Sequence, residues 1–549
     1  MPRRAADLLV DCLVAHDVDR VFCVPGESYL AVLDALHERN AVATFVARHE
    51  GGAGFMAVAD AKITGRPGVA FVSRGPGATN ASIAVHVADQ DAAPLVLFVG
   101  QVPRAEIGRR SFQEVDYAKT FADMAKGVWT IEDPARLPEI VARAFHIAQT
   151  PTPGAVVLVL PEDMLEDRTD ASVVAPLPVA RASAGEGVIA DVAARVEASE
   201  RPLLIAGGGL ASSEGRAALL AAAEAHTLPV ALTFKRQDLF PNRHPLYAGH
   251  LGFKIPKAQI ELFAGADLVV AVGTRLGEVA TQGYTFPAAP VPAQPLIHVC
   301  DDPGYIGRNF STALPIIADP VAFLAKLAEV RTAAPRARQP WSERLHAYVA
   351  RQMPWTPPDD DLLDMGAVVA ALIPRLPEDA VLITDGGNFS GWAHRHFPFS
   401  PRNLLIGCVG GAMGLGVPAA VAAGLRMPGR TVVTFIGDGG ALMTGAELAT
   451  AVQYGVPVRV FISNNRSYGT IRMHQERAYK GRVHATDLRN PDFVRWAESF
   501  GARGLRITSL AEADAVVAEA VREAGPVVVD VHTALEHIGP FATLADLGR

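Results

Sequence analysis

The sequence predicts an α/β fold made of three consecutive doubly wound domains, each built on a parallel sheet. Short β-branched or leucine-rich runs, bounded by glycine or proline, alternate along the chain with segments of helical periodicity. Strands buried on both faces have this continuous apolar character, and their alternation with helices is typical of parallel sheets. The length of 549 residues also exceeds what one hydrophobic core usually supports, so we expect several domains.

The first predicted domain spans residues 1–165. A segment with helical periodicity at 3–16 is followed by a short apolar strand and a Pro25-Gly26 break. The other elements alternate, with helices over 28–38 and 52–64 and strands over 20–24, 43–47, 69–73, 95–100 and 155–160. Residues 161–185 are acidic at first and then rich in Ser, Ala, Val and Pro, which is typical of a linker.

The second and third predicted domains span 186–332 and 361–549, and the proline-rich stretch 331–361 between them is interpreted as another linker. In the second, strands are predicted at 202–206, 229–233, 267–272 and 296–299, with a helix over 214–226. In the third, strands are predicted at 381–384, 404–406, 431–436, 458–463 and 527–531, with a helix over 444–454. The first and third domains share a rhythm of elements without obvious sequence repetition.

Composition and charge exclude several function classes. The formal net charge of −8 gives no reason to expect a nucleic-acid partner. The four cysteines form no CxxC pair, so neither a zinc site nor a disulfide framework is indicated. No run approaches the ~18 consecutive apolar residues of a membrane span, and no signal-peptide pattern begins the chain. We therefore expect a soluble, cytoplasmic protein that does not bind membranes.

The strongest chemical signal is a pair of polar clusters that follow two predicted strands. Gly437-Asp438-Gly439-Gly440 ends the first strand, and Asn464-Asn465 ends the next. Open α/β sheets bind ligands at this edge, and glycines let backbone N–H groups approach phosphates. Mg²⁺ prefers a few oxygen ligands such as these carboxylate and amide groups. Either cluster alone is a common turn sequence, but the two together predict a metal-bridged diphosphate site.

These clusters and several further motifs resemble the thiamine-diphosphate-dependent enzymes, and in particular their acetolactate-synthase-like branch. The further motifs are Pro-Gly-Glu at 25–27, Arg-His-Glu-Gly-Gly-Ala at 48–53, Gly-Pro-Gly-Ala-Thr-Asn at 75–80, Gly-Gln-Val-Pro at 100–103, Phe-Gln-Glu at 112–114 and Gly-Ala-Met-Gly-Leu-Gly-Val-Pro-Ala-Ala at 411–420. The similarity covers essentially the whole chain and is weakest in 165–360. The resemblance implies a pyrimidine-binding, a central and a diphosphate-binding domain.

The resemblance implies thiamine diphosphate and Mg²⁺ as cofactors. Asp438, Asn465 and the Ser467 carbonyl take the positions of the metal ligands. Met413 takes the place of the residue that props the cofactor in its bent shape, although methionine is more often core filler. The remaining implied cofactor contacts are Pro25, Asn80, Gly386, Gly387, Asn388, Phe389, Gly411, Gly437, Gly439, Gly440, Tyr468 and Gly469. The family often has histidine at the Phe389 position, so Asp385–Phe389 can equally be read as a plain turn.

Glu50 is the candidate activating acid. Taken by its position alone, it is as readily an ordinary acidic residue at a helix N-terminus. The resemblance places it on the glutamate that hydrogen-bonds the aminopyrimidine ring and promotes loss of the thiazolium C2 proton. In such enzymes this glutamate and the diphosphate site face each other from different subunits. The resemblance therefore implies self-association, with active sites at a subunit interface.

On the substrate side, Phe112 and Gln113 align with residues near the reacting carbon, and His474 replaces a tryptophan of the acceptor pocket. The resemblance implies decarboxylation of a 2-oxo acid followed by ligation to a carbonyl acceptor. The His-His pair of simple pyruvate decarboxylases is absent here, which favours ligation. A lyase that releases an aldehyde or cleaves a 2-hydroxyacyl compound, and a non-catalytic cofactor-binding protein, remain the alternatives.

Two nucleotide cofactors are not expected. The central segment Arg275-Leu276-Gly277-Glu278-Val279 lacks the paired aspartates of the flavin-binding stretch in acetolactate synthases, so we expect no obligatory FAD. The Gly207-Gly208-Gly209 turn is by itself a weak dinucleotide signal. A nicotinamide-dependent oxidoreductase is a rival interpretation, but the chain lacks a G-x-G-x-x-G motif after its first strand.

Overall fold

A computed structural model describes residues 2–253, 255–330 and 338–548. Within them lie three six-stranded parallel sheets with helices between the strands, so the predicted α/β class is confirmed. A two-stranded antiparallel pairing near the N-terminus accompanies them. Within the same described ranges, no helix is long and apolar enough to cross a membrane.

The N-terminal sheet has the strand order β3-β2-β4-β5-β7-β6. The strands of this part of the chain are β1 (Arg3–Arg4), β2 (Arg20–Cys23), β3 (Ala43–Val46), β4 (Gly68–Val72), β5 (Leu95–Gln101), β6 (Gly127–Thr130), β7 (Ala155–Pro161) and β8 (Arg168–Thr169). Its helices are α1 (Ala5–Ala15), α2 (Leu30–Glu38), α3 (Glu50–Thr64), α4 (Pro76–Asp91), α5 (Tyr117–Phe121), α6 (Leu137–Gln149) and α7 (Glu162–Glu166). The interpretation of 161–185 as wholly linker is wrong for α7 and for β8, which pairs with β1.

The central sheet has the order β11-β10-β9-β12-β13-β14. Its strands are β9 (Pro202–Ala206), β10 (Val230–Thr233), β11 (Tyr247–Leu251), β12 (Leu268–Val272), β13 (Leu296–Cys300) and β14 (Leu314–Ile317). Its helices are α8 (Glu186–Ala198), α9 (Ser213–His226), α10 (Lys257–Ala264), α11 (Pro320–Glu329) and α12 (Arg338–Gln352).

Helix α12 lies inside the stretch interpreted as a linker, of which residues 331–337 lie outside the described residues. It packs against the central domain, where Arg338 is fully buried and donates to the carbonyls of His226 and Ser199 at 2.6 and 2.5 Å. The Trp341 indole donates to Pro202 O at 2.8 Å. The linker interpretation is wrong for 338–352. The helix has few buried side chains, and the surrounding prolines and charged residues obscure its periodicity in the sequence.

The C-terminal sheet has the order β16-β15-β17-β18-β20-β19. Its strands are β15 (Val381–Thr384), β16 (Leu404–Gly407), β17 (Val432–Gly437), β18 (Val458–Ser463), β19 (Arg503–Ile507) and β20 (Val527–Val531). The helices are α13 (Met365–Leu372), α14 (Ser390–His396), α15 (Gly416–Arg426), α16 (Asp438–Thr444), α17 (Leu448–Gln453), α18 (Gly469–Ala478), α19 (Phe493–Ser499), α20 (Leu510–Arg522) and α21 (Leu544–Gly548). Numbered by their own strands, this sheet and the N-terminal sheet have the same order, 2-1-3-4-6-5.

The predicted helix over 444–454 is wrong in its start and its continuity. The structure has α16 directly after β17, then a tight turn at Gly445–Glu447, then α17. Glycines at 439, 440 and 445 have no side chain to show periodicity, so the pattern concealed the earlier start. The consequence for the site is that Asp438 is the first residue of a helix.

The N-terminal and C-terminal domains of one chain share a single hydrophobic core. Small residues of α3 and α4, such as Ala57 and Ala84, are buried in it together with Ala420 and Ala423 of α15. A Cβ added to Gly54 would lie 2.4 Å from the Ala84 Cβ, so α3 and α4 approach too closely there for any side chain. Close packing of small residues thus holds α3, α4 and α15 together between the N-terminal and C-terminal sheets.

We predict that Gly54→Ala destabilises the fold by about 1–3 kcal/mol, because the new methyl group overpacks the contact between α3 and α4. Gly187→Ala in α8 is the matched control, since a Cβ there meets no atom within 4 Å. The control should be neutral or slightly stabilising, because alanine favours helix over glycine. The apparent Tm by circular dichroism distinguishes them, and equal values for the two variants would contradict the packing argument.

Candidate active site

Three loops of the C-terminal domain meet at one sheet edge because they follow neighbouring parallel strands. The register pairs Thr384 with Phe435 and Gly437 with Ser463, so β15, β17 and β18 end side by side. Asp385, Asp438 and Asn464 are the next residues along the three strands. The expected placement of the Gly-Asp-Gly and Asn-Asn clusters on adjacent strand ends is confirmed.

Asp438 presents a buried carboxylate that is held by neutral donors. The residue is 2% exposed; its Oδ1 accepts from Gly439 N at 2.9 Å and its Oδ2 from the Asn490 amide at 2.8 Å. Burial raises its pKa, and the hydrogen bond from Asn490 acts in the opposite direction. In the described part of the chain no cationic side chain pairs with this carboxylate. A buried carboxylate without a cationic partner is a strong acceptor for a metal ion.

The turn after β18 supplies further oxygen atoms. Asn465 Oδ1 accepts from Ser467 N at 3.0 Å, and the intervening Arg466 has a left-handed φ of 57°. The Ser467 hydroxyl oxygen is buried and has no hydrogen-bond partner among the residues that the structure describes. No group of three or more His, Cys, Asp or Glu side chains forms a metal site among the described residues. One carboxylate with amide and carbonyl oxygens is nevertheless a donor set that suits Mg²⁺.

The predicted diphosphate contacts lie on loops that pack against each other. The Phe389 ring lies over two glycines, since a Cβ on Gly387 or Gly437 would be 2.3 or 2.9 Å from it. Asn388 N donates to Thr470 Oγ1 at 3.1 Å. A Cβ on Gly439 would lie 2.4 Å from the Tyr468 ring. Gly440 follows in α16, and Gly469 begins α18 beside Asn465. The structure therefore brings these residues together.

Asp385 fixes a fourth loop of the same edge. Its fully buried carboxylate accepts from Gly386 N at 2.7 Å and from Gly414 N at 2.8 and 3.1 Å, and burial raises its pKa. A Cβ on Gly386 would lie 3.0 Å from the Gly411 carbonyl. Gly411 and Met413 are thus held beside Gly386. Sequence reasoning treated Asp385 only as the start of a motif and missed this anchoring role.

Glu50 is the first residue of α3, two residues earlier than the predicted helix start, and it lies at the carboxyl edge of the N-terminal sheet. Asn80 on α4 donates to Glu50 Oε2 at 2.9 Å. A Cβ on Gly77 would lie 3.3 Å from Glu50 Oε1. Pro25 follows the neighbouring strand β2 and is exposed. Glu50 and Asn80 are therefore in direct contact.

The predicted substrate residues divide between the two domains. Gln113 has a left-handed φ of 64°, and its carbonyl packs on the backbone of Gly75, just before α4. The neighbouring Phe112 side chain is 75% exposed. His474 is exposed on α18 of the C-terminal domain. Phe112 and Gln113 thus accompany the Glu50 side, and His474 accompanies the diphosphate side.

Comparison with known proteins assigns the family. The description "Thiamine pyrophosphate enzyme, N-terminal TPP binding domain" matches residues 3–120, the central domain of the same enzymes matches 189–327, and their C-terminal TPP binding domain matches 385–531. The chain belongs to the thiamine pyrophosphate enzyme family. All three sheets of the fold lie within or overlap these matches.

Full-length relatives define the branch. The chain is similar to the acetolactate synthase large subunit of Parasynechococcus marenigrum, at 35% identity over 96% of this chain and 87% of the relative. It is 32% identical to a probable acetolactate synthase large subunit of Methanocaldococcus jannaschii, over 99% and 95% of the two chains. It is also 32% identical to acetolactate synthase isozyme 1 large subunit of Escherichia coli, over 96% and 93%. The resemblance stated from the motifs is confirmed: this is an acetolactate-synthase-like, thiamine-diphosphate-dependent enzyme.

Glu447 links the two domains of this thiamine-diphosphate enzyme beside Glu50, and sequence reasoning missed it. Its fully buried carboxylate accepts from Arg48 N at 3.0 and 3.1 Å, from His49 N at 3.0 Å and from Thr450 Oγ1 at 2.6 Å. Burial raises its pKa, and these donors act in the opposite direction. Glu447 lies on the turn after α16 and supports the backbone that leads into Glu50.

The central domain has a glycine turn whose composition is explained by packing. A Cβ on Gly207 would lie 2.6 Å from the Gly273 carbonyl, and one on Gly209 would lie 3.0 Å from Gly273 Cα. The turn after β9 therefore packs tightly on the turn after β12. These glycines need no nucleotide to account for them, and the absence of obligatory FAD stays a prediction.

We predict that Glu447→Ala lowers the free energy of unfolding by on the order of 3 kcal/mol, because the backbone donors of Arg48 and His49 lose their acceptor. Glu447→Gln is the matched variant, since its carbonyl oxygen can still accept from them. Denaturation monitored by tryptophan fluorescence should show a smaller loss for the glutamine variant. Equal stability of Glu447→Ala and wild type would contradict the anchoring role.

Proposed function

We propose that the enzyme binds thiamine diphosphate through Mg²⁺, decarboxylates a 2-oxo acid and joins the remaining fragment to a second carbonyl compound. The observation that carries this proposal is the Asp438 carboxylate, buried without a cation at the edge where the glycine and asparagine loops meet. The similarity to acetolactate synthase large subunits supports the ligation step.

In this proposal the C-terminal domain holds the diphosphate end. Asp438, the Asn465 amide oxygen and the Ser467 carbonyl would hold the Mg²⁺, which would bind the diphosphate. Backbone N–H groups of the glycine loops at 386–387 and 439–440 donate to the phosphates. Met413 and the Gly411 backbone would support the pyrimidine and thiazolium rings of the cofactor.

The N-terminal domain supplies the proton chemistry. When bound, thiamine diphosphate supplies a nucleophilic carbon and stabilises the electron pair that remains after CO₂ leaves. Glu50 exchanges a proton with the aminopyrimidine ring nitrogen, and the Asn80 amide fixes the direction of its carboxyl group through the 2.9 Å hydrogen bond. Glu447 keeps the preceding backbone in place.

The acceptor side is proposed from Phe112, Gln113 and His474. The exposed Phe112 ring shields the reacting carbon from water, and Gln113 offers its amide to the substrate carboxylate or carbonyl. His474 in place of an apolar ring favours a more polar acceptor than that of acetolactate synthesis, or a proton transfer to it.

Self-association completes the site in this proposal, because Glu50 acts on a cofactor held by Asp438 of the partner subunit. Within the described part of one chain, no hydrogen bond or ion pair connects Glu50 with Asp438 or Asn465. Large apolar side chains are exposed in segments next to both half-sites, which is typical of surfaces that a second copy covers. They are Leu30, Phe112, Leu442, Met443 and Ile471.

The reaction is tested with stripped protein that is reconstituted with thiamine diphosphate and Mg²⁺. We expect CO₂ release from at least one of a panel of 2-oxo acids, and a ligated product when an aldehyde or second 2-oxo acid is present. Glu50→Gln should lower turnover by about 10²–10⁴-fold, because the proton exchange is lost. Release of free aldehyde without ligated product would favour the lyase alternative, and full turnover by Glu50→Gln would contradict the mechanism.

The shared site is tested by complementation between two inactive variants. Glu50→Gln and Asp438→Asn chains, each inactive alone, are co-expressed with different tags and purified as the mixed dimer. One of its two sites then combines an intact Glu50 with an intact Asp438, so activity should return to about half of the wild-type value. A mixed dimer as inactive as its parents would show that both residues act within one chain.

A further inference from the structure

Asn490 lies outside every motif of the sequence, yet its side chain contacts both polar clusters of the diphosphate edge. Its amide nitrogen donates to Asp438 Oδ2 at 2.8 Å and to Asn464 Oδ1 at 2.9 Å. Both hydrogens of the amide group are therefore used. One side chain thus joins the residue after β17 to the residue after β18.

The contact continues into a network of polar side chains. The Asn464 amide donates to Asp530 Oδ1 on β20 at 2.8 Å, and Arg506 Nε on β19 donates to Asp530 Oδ2 at 3.2 Å. Arg506 Nη2 donates to Asp492 Oδ1 at 2.6 Å. Asp492 is two residues after Asn490, so the network leads back through the backbone to the segment that carries Asn490.

The two aspartates of this network, Asp492 and Asp530, have further contacts. Asp492 caps α19, where its side chain accepts from Val494 N and Arg495 N. Asp530 is 1% exposed and is also in contact with His532 Nε2 at 3.0 Å. The Asn464–Asp530 hydrogen bond is buried and therefore strong, whereas the Arg506–Asp492 contact is partly exposed to solvent.

Two hydrogen bonds restrict the Asp438 carboxylate from two sides. Gly439 N holds Oδ1 and Asn490 holds Oδ2, so rotation of the carboxylate plane would break one of these bonds. The backbone N–H groups of Arg466 and Ser467 also lower the pKa of this carboxylate, so it faces the turn that carries Asn465. Without Asn490, the Asp438 Oδ2 atom would lose its side-chain donor, and of these two bonds the one from Gly439 N to Oδ1 would remain.

We propose that Asn490 is a positioning residue for the metal site: it sets the plane of the Asp438 carboxylate and the position of the Asn464-Asn465 turn relative to it. This inference rests on the proposed metal–diphosphate function. Residues that orient metal ligands typically contribute about 10–100-fold to metal affinity. Asn490→Ala should therefore weaken divalent metal binding by this factor, although none of the proposed ligand residues is itself replaced.

The experiment measures Mn²⁺ binding to the full-length protein by electron paramagnetic resonance, with thiamine diphosphate at a fixed concentration. Asn490→Ala should raise the Kd of Mn²⁺ by about 10–100-fold, and saturating metal should restore most of kcat. Asn490→Ser, which keeps a smaller donor, should fall between wild type and alanine, and it serves as the test protein if the alanine variant does not fold.

The matched control is Asn403→Ala in the same domain. Asn403 is buried, and its side chain accepts from Ser400 N and donates to Glu378 O and Ala380 O, away from the loops of the site. It should lower the apparent Tm without changing the Kd of Mn²⁺. An unchanged Kd in both Asn490 variants would overturn the positioning role. Failure of the wild type to bind Mn²⁺ would instead overturn the proposed function itself.

Discussion

The close packing of α3, α4 and α15 is the interaction on which the rest of the structure depends. Small residues in these helices let the first and last domains of the chain share one core. An ion pair between Lys62 and Asp91, both almost fully buried, lies at this junction, and Asp91 also accepts from Val409 N and Gly410 N. The loop that carries Gly411 and Met413 is thereby tied to the domain that carries Glu50.

The buried carboxylates near the carboxyl ends of the N-terminal and C-terminal sheets have different roles. Glu447 and Asp385 are fully buried, and their oxygens are occupied by backbone and hydroxyl donors, so they act as anchors for loops. Asp438 accepts from Gly439 N and from the Asn490 side chain, and the backbone N–H groups of Arg466 and Ser467 also lower its pKa. Because the desolvation of a carboxylate is costly, each of these groups is fixed by its donors, and Asp438 is the one that we propose as a metal ligand.

The predictions from sequence were confirmed for features that depend on short segments of the chain, such as a buried strand and the loop that follows it. The α/β class, most of the buried strands and the meeting of the Gly-Asp-Gly and Asn-Asn loops were predictable, because consecutive apolar residues and parallel pairing determine them. Within the six-stranded sheets the strands missed were β6, β11, β14 and β19, and all four lie at sheet edges; the short pair β1 and β8 was missed as well. Edge strands carry polar or exposed residues, as in β6 and β19, so no continuous apolar run marks them.

By itself the sequence determined the fold class, the family and the positions of Glu50, Asp438 and Asn465, because these depend on residue types at fixed spacings along the chain. Only the tertiary structure decided which side chains hold those residues in place. Asn490 and Glu447 act across distances of 52 and 399 residues along the chain. No local pattern encodes such contacts, since they exist only once parallel strands and the shared core have brought distant segments together.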